Sequence, residues 1–409
     1  MNKREKKKPN SGRVRPGNVF LRTIIYGAMR AYYWVFGLKI RGVNKLGKQP
    51  EGPAIVLCNH GSFIDFVYAE ALLHKSRPHF VTARLYFYHR LLGWLLRTLG
   101  CFPKSLFALD LGSTKNSLEV LKSKGILAMM PEARLSTIGR FEDIQPTTYS
   151  FLKKAKATVY TIKLQGDYFC SPKWGKGLRR GAVVEAELDV LFTPEQLSEL
   201  SLEEIKMGVE QRLYYDEFRW LETRPDVRYK NKDLAEGLEN ILTLCPRCGE
   251  KYTVYTKGRS VLCKNCGELT RLDDRYGFTE GFRFENFAQW YDWQKETLEQ
   301  KIRGDEDFAL RSRVELRLPS CGKGLTRSAG SGVCVLDRSG LRYTGTKDGE
   351  NVDVFFPLKQ VYRLLFCAGE NFEIYNGTVI WYFVPEVKQS AVDWYLTSMI
   401  LYDEMYTGK

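Results

Sequence analysis

No stretch of this 409-residue chain offers twenty uninterrupted apolar residues. The nearest approach, Val19 to Leu38, is broken by Arg22 and Arg30, which argues against a membrane-spanning helix and spoils a signal-peptide core. No G-x-S-x-G occurs, so the nucleophile elbow of a serine hydrolase is missing. There is no internal repeat, and no stripe of interleaved aromatic and basic residues that would favour nucleic acid. A disulfide framework is lacking too. Of ten cysteines, Cys58, Cys101, Cys170, Cys321, Cys334 and Cys367 are scattered, several in apolar runs, as in a reducing compartment.

What the chain does have is positive charge, +14 net, which favours acidic partners. Residues 1–15 hold seven Lys or Arg and one Glu, hence +6, leaving +8 for the rest. Residues 1–17 read as a basic disordered tail: a solvated arm, or a contact for an anionic membrane surface. Residues 18–40 read as an interfacial helix, with Tyr32, Tyr33, Trp34 and Phe36 suited to the bilayer boundary. Packing of that helix on the next domain is the competing reading. The expected location is the cytoplasmic side of a membrane, peripheral or monotopic.

Residues 41–225 alternate strand-like and helix-like segments, which indicates an α/β domain with its site at strand ends. GPAIVLC (52–58) reads as a buried strand, and Ser62 opens a helical stretch. Strands are expected near 79–83, 126–130 and 157–164, and helices near 91–99, 115–124 and 202–216. KWGKGLRR (173–180) reads as a basic turn, and the charged stretch 222–235 as a linker. Residues 240–275 hold a cysteine cluster, and 283–304 form a helical connector with a core-type aromatic stripe. Residues 311–409 read as short alternating strands closed by a C-terminal helix, a β-domain with the order of pleckstrin-homology-like modules.

The sharpest motif is Asn59-His60-Gly61-Ser62-Phe63-Ile64-Asp65. His60 falls just past an apolar strand and Asp65 on the first turn of the next helix. A carboxylate there can fix the imidazole tautomer while the other nitrogen takes a proton. The bland reading is a helix capping box, Ser62-x-x-Asp65, beside a loop histidine.

NHGSFID resembles the N-H-x-x-x-x-D motif of the glycerol-phosphate and lysophosphatidic acid acyltransferases, and three further blocks follow in order. LLGWLLRTLGCFPK resembles the second, with Lys104 where many relatives have Arg. MMPEARLSTIG resembles the third, P-E-G-x-R-S: Pro131 and Glu132 match, Ala133 replaces glycine, and Arg134 is displaced by one. ATVYTIKLQG resembles the fourth, with Tyr160 in place of proline. The resemblance spans roughly residues 40–215. It implies an acyltransferase-like mixed sheet flanked by helices, with His60 as general base and Asp65 as its orienter. Lys104, Glu132, Arg134 and Ser136 become the candidate substrate-binding set. The implied donor is acyl-CoA or an acyl carrier protein, the acceptor a lysophospholipid such as lysophosphatidic acid, and no cofactor is required for catalysis. Lys for Arg loses bidentate phosphate geometry, so the acceptor can differ from plain lysophosphatidic acid. A non-catalytic lipid-binding or scaffold protein on the same fold is the alternative.

Cys245-x-x-Cys248-Gly and Cys263-x-x-Cys266-Gly are two knuckles separated by fourteen residues. Each places two thiolates on one turn, and together they make a closed four-thiolate set, hence a structural Zn2+ site in a zinc ribbon. The ribbon is only mildly basic, so no nucleic acid is expected as a partner.

Overall fold

The computed structural model describes residues 14–107, 110–321 and 324–407. The basic tail falls almost wholly outside them. The described residues hold two seven-stranded sheets and a three-stranded ribbon, with helices around them.

The first sheet comprises β1 (Lys39–Asn44), β2 (Ala54–Cys58), β3 (His79–Ala83), β4 (Phe102–Lys104), β5 (Ile126–Met129), β6 (Thr158–Gln165) and β7 (Val183–Phe192), in the order β1-β7-β6-β2-β5-β3-β4. All pairs are parallel except β6 with β7. Central β2 is buried at every position, as a strand covered on both faces must be. Its helices are α1 (Val19–Val35), α2 (Asp65–Leu73), α3 (Arg90–Thr98), α4 (Leu111–Lys122), α5 (Pro146–Ala155), α6 (Asp167–Cys170), α7 (Pro194–Glu199), α8 (Leu202–Leu213) and α9 (Glu217–Glu222). The loops after β2, β4, β5 and β6 leave the same edge of the sheet, where an open α/β fold places its site.

Among the described residues, no helix is long and apolar enough to cross a membrane. Helix α1 shows why its arginines do not disqualify it as a helix. Arg22 turns inward to Glu70 on α2, Nη2 to Oε1 2.6 Å, and gives Nη1 to the Pro78 carbonyl. Phe20, Ile24, Trp34 and Val35 face outward, and Trp34 is 81% exposed. One face of the helix is thus packed on the following domain, and another carries large apolar side chains outward.

The stretch expected to be a linker is packed instead. Val227, Tyr229, Leu234 and Ala235 are buried, and Arg259 donates to the Tyr229 and Asn231 carbonyls. The apolar residues were too sparse among the charges to reveal a core-facing segment.

The ribbon consists of β8 (Val254–Lys257), β9 (Ser260–Cys263) and β10 (Gly267–Arg271), all antiparallel. Helix α10 (Phe287–Arg303) leads to the second sheet. There β11 (Leu310–Pro319), β12 (Thr326–Asp337), β13 (Gly340–Lys347) and β14 (Glu350–Pro357) form one meander. Then β15 (Leu365–Cys367), β16 (Asn371–Asn376) and β17 (Val379–Pro385) form another, joined by β11 pairing with β17. Helix α11 (Ala391–Tyr406) packs against β12, β15 and β16 and stacks Trp394 on Phe372 at 4.3 Å. The C-terminal region is thus antiparallel β with a terminal helix, as the alternating pattern implied.

Candidate active site and metal centre

Asn59 follows the last residue of β2 and continues its ladder through the side chain. Its Nδ2 donates to the Leu164 carbonyl at 2.9 Å, and its Oδ1 accepts from Leu164 N at 2.7 Å. That clamp fixes where His60 leaves the sheet. The loop after β5 then holds His60 by the backbone from both sides: His60 N donates to Glu132 Oε1 at 2.8 Å, and Ser136 N donates to the His60 carbonyl at 3.0 Å.

His60 Nδ1 lies 2.9 Å from Asp65 Oδ2. The same oxygen accepts from Ser62 N at 3.0 Å. Only half of the capping box forms: the Asp65 carboxylate accepts from Ser62 N and also faces His60, while Ser62 Oγ takes Ile64 N and not Asp65 N. Asp65 is fully buried, the His60 side chain 22% exposed. The other ring nitrogen of His60 has no hydrogen-bond partner among the described residues. Burial, and then the charge of Lys173, hold its pKa down to about 4, so the ring is neutral at pH 7 and able to accept a proton.

A residue that the motif did not reveal lies behind this pair. Asp167, at the start of α6, is fully buried, and a Cβ on Gly61 would collide with its Oδ2. Among the described residues, Asp65 Oδ1 and the Asp167 oxygens find no donor outside the pair itself. Burial pushes the Asp65 carboxyl upward; burial and then the charge of Asp65 push Asp167 upward. Two adjacent buried carboxyls cannot both ionise, so one proton is shared, with Asp167 donating to Asp65. Asp167 sits directly after β6, and only the parallel pairing of β6 with β2 brings it to His60.

The four residues expected to touch substrate separate into two groups. Glu132 and Ser136 are fully buried and engaged by protein. Glu132 Oε2 takes Glu142 N and the Tyr215 hydroxyl, while Ser136 Oγ exchanges hydrogen bonds with the Arg140 backbone. Their polar atoms hold the loop that grips His60 and do not point into a cleft. Ala133, where the resembling family has glycine, takes a left-handed φ of 57°, a conformation that glycine adopts without strain. Arg134 gives Nε to Glu142 at 3.1 Å, and its guanidinium lies over the rings of Phe107 and Tyr395, so it faces the C-terminal domain. Lys104 ends β4 on the site edge of the sheet. Burial lowers its pKa, opposed by Asp110.

The second centre is the cysteine cluster. The four Sγ atoms of Cys245, Cys248, Cys263 and Cys266 all lie within 4.8 Å of one another, and Cys248 and Cys263 approach to 3.8 Å. A tetrahedron of bonds about 2.3 Å long has edges of about 3.8 Å, so the donor set fits a tetrahedral thiolate-bound metal. Gly249 and Gly267 close the two knuckles at φ of 72° and 75°, the region that their position after the second cysteine requires.

A family model described as Acyltransferase matches residues 38–165, which include His60, Asp65 and the 131–136 loop. Among solved structures, the chain is similar to the 1-acyl-sn-glycerophosphate (LPA) acyltransferase PlsC from Thermotoga maritima. The two are 17% identical with a TM-score of 0.38, over 47% of this chain and 78% of that one, a likeness too slight to bear on substrate. No curated protein matches. Residues 38–165 match the Acyltransferase family model, within a longer chain that adds a four-cysteine ribbon and a C-terminal β-domain.

Proposed function

We propose that the protein transfers a fatty acyl group from a thioester, acyl-CoA or acyl carrier protein, to a hydroxyl of a lysophospholipid such as lysophosphatidic acid. The observation that carries this is the His60–Asp65 contact of 2.9 Å, at a strand end, with the second ring nitrogen unengaged. In the proposed step that nitrogen takes the acceptor's hydroxyl proton as the oxygen attacks the thioester carbonyl. A C–O bond forms, the C–S bond breaks, and His60 returns the proton to the leaving thiolate. Asp65 balances the transient imidazolium. Such proton transfer contributes about 10²–10⁴-fold, and positioning by the Glu132–Ser136 loop supplies part of the remainder. No covalent acyl-enzyme or cofactor is needed.

The protein works from the cytoplasmic side of a membrane surface in this reading, held peripherally. The outward Phe20, Ile24, Trp34 and Val35 of α1 support it. The four cysteines hold a structural Zn2+, supported by the all-thiolate donor set.

The test incubates purified protein with acyl-CoA and acyl carrier protein thioesters and a panel of lysophospholipids, and identifies the product. Diacyl product that disappears in His60→Ala, with an unchanged melting curve, is expected. Near-wild-type turnover by His60→Ala would sink the mechanism. Lipid binding without product under any donor would favour a scaffold role.

A further inference from the structure

The loop carrying Lys173 reaches across to the C-terminal sheet. Its Nζ sits 3.5 Å from the ring centroid of Phe366 on the edge strand β15. The neighbouring strand β16 pairs Phe372 with Phe366 and Glu373 with Leu365, and Glu373 in turn faces Tyr382 on β17. By strand alternation, Glu373, Tyr375 and Tyr382 share the sheet face opposite Phe366, Phe372 and Phe383, so Lys173 meets the sheet at its β15 edge and the charge of Glu373 acts on it across that edge. On a free β-domain that face would be wet. Here Tyr382 is only 2% exposed, and among the described residues its hydroxyl has no hydrogen-bond partner. The cover comes from the acyltransferase domain. Tyr375 meets the Leu106 backbone, two residues past Lys104, and Tyr86 and Tyr88, just after β3, lie close enough to act electrostatically on Tyr382. Tyr86 in turn packs edge-on against Phe63, three residues from His60, with ring centroids 6.0 Å apart.

We propose that β15–β17 form the second wall of the acyl-transfer site, and that Lys173 anchors the anionic group of the acceptor while Glu373 and Tyr382 read hydroxyl or ammonium groups on its head. This rests on the acyl-transfer reading of His60 and adds the acceptor class. Lys173 is suited to the anion by its place at the β15 edge. Arg134 is tied through Nε to Glu142, whereas Glu142 and Glu373 act on Lys173 only at a distance. Among the described residues, no carboxylate lies within ion-pair distance of Lys173. Its neighbourhood is that of a group awaiting a counter-charge. Burial brings the Lys173 ammonium down to about 8, and burial raises the Glu373 carboxyl to about 7. Every wall residue, and Lys173 itself, lies outside the segment 38–165 that matches the family.

The experiment compares full-length wild type, Lys173→Met, Lys173→Arg and Glu373→Gln. Acceptors are lysophosphatidate, lysophosphatidylethanolamine and monoacylglycerol, which differ in phosphate and head group. Lysophosphatidate binding is followed in parallel by calorimetry. Loss of a charge-assisted contact predicts about a 10- to 100-fold rise in KM for both phosphate-bearing acceptors in Lys173→Met, with a much smaller rise for monoacylglycerol. Lys173→Arg should recover most of it. Glu373→Gln should change the ratio of kcat/KM between the ethanolamine-bearing acceptor and lysophosphatidate. A rise in KM for acyl-CoA alone would assign Lys173 to the donor's phosphates and overturn the proposal, as would equal acceptor KM values in wild type and Lys173→Met. If wild type turns over no acceptor, the acyl-transfer reading fails by itself. Calorimetry then decides the wall: binding must weaken in Lys173→Met for the proposal to stand.

Discussion

His60 is neutral at pH 7 because burial and the Lys173 charge hold its pKa near 4, below the usual histidine value of 6.5. The base form is thus populated well below neutrality, and activity is lost only as pH falls through about 4. The acidic limb of kcat/KM against pH should lie there, and an inflection near 6.5 would show that the ring is not desolvated as described. Asp167 acts through Asp65 and has its own signature. Asp167→Ala removes the donor to a buried carboxylate, worth about 1.5–3 kcal/mol, so kcat should fall about 10- to 100-fold. Asp167→Asn keeps a donor and should restore most of the rate, an outcome that simple loss of packing would not give. His60, Asp65 and the four cysteines were legible in the sequence because each set is local, closed within one turn or one knuckle. Asp167, Lys173 and Glu373 were not. Asp167 reaches Asp65 only through the pairing of β6 with β2, and Glu373 comes near Lys173 only through the docking of a distant sheet; nothing in their flanking residues records either.

At the scale of elements, the buried strands and most helices of the acyltransferase domain followed from apolar runs and periodicity. Strand β1 did not, since Lys39–Asn44 lies at the sheet edge with a mostly exposed pattern and no apolar run. Strand β4 is three residues long and carries a proline, too little for any period to show. Helix α1 carries two separable duties. Arg22 is 8% exposed and paired with Glu70, so Arg22→Ala leaves a largely buried carboxylate alone and should cost about 3 kcal/mol in denaturant unfolding. Phe20→Asp and Trp34→Asp alter only the outward face. They should leave the unfolding midpoint within error and weaken co-sedimentation with vesicles containing anionic lipid. Undiminished vesicle binding by the double variant would remove α1 from the membrane contact.

Across the whole molecule, the ribbon joins parts that are distant in sequence. Asp393 on α11 is 2% exposed and takes hydrogen bonds from Thr243, Lys251 and Tyr252, at 3.0, 2.7 and 2.7 Å. Gln294 on α10 accepts from Thr243 N at 2.7 Å and donates to the Ile241 carbonyl at 2.7 Å. On the other side, Arg259 grips the segment that leaves the acyltransferase domain. The knuckles therefore sit where both helices and that segment converge, and their geometry sets how the β-domain meets the site. Direct contacts such as Arg363 with Asp143 and Tyr395 with Glu142, both at 3.1 Å, complete the docking. Metal analysis should return one zinc per chain. Chelation, or Cys245→Ser with Cys263→Ser, should raise hydrogen exchange in 240–275 and in α11. The strands around His60 should exchange as before, since no ribbon residue bonds to His60 or Asp65. Acyl transfer should fall with the loosened docking and not with the chemistry, so loss of activity should accompany faster exchange in α11. Full activity in zinc-free protein whose α11 exchanges as in wild type would show that the ribbon does not hold the two domains together.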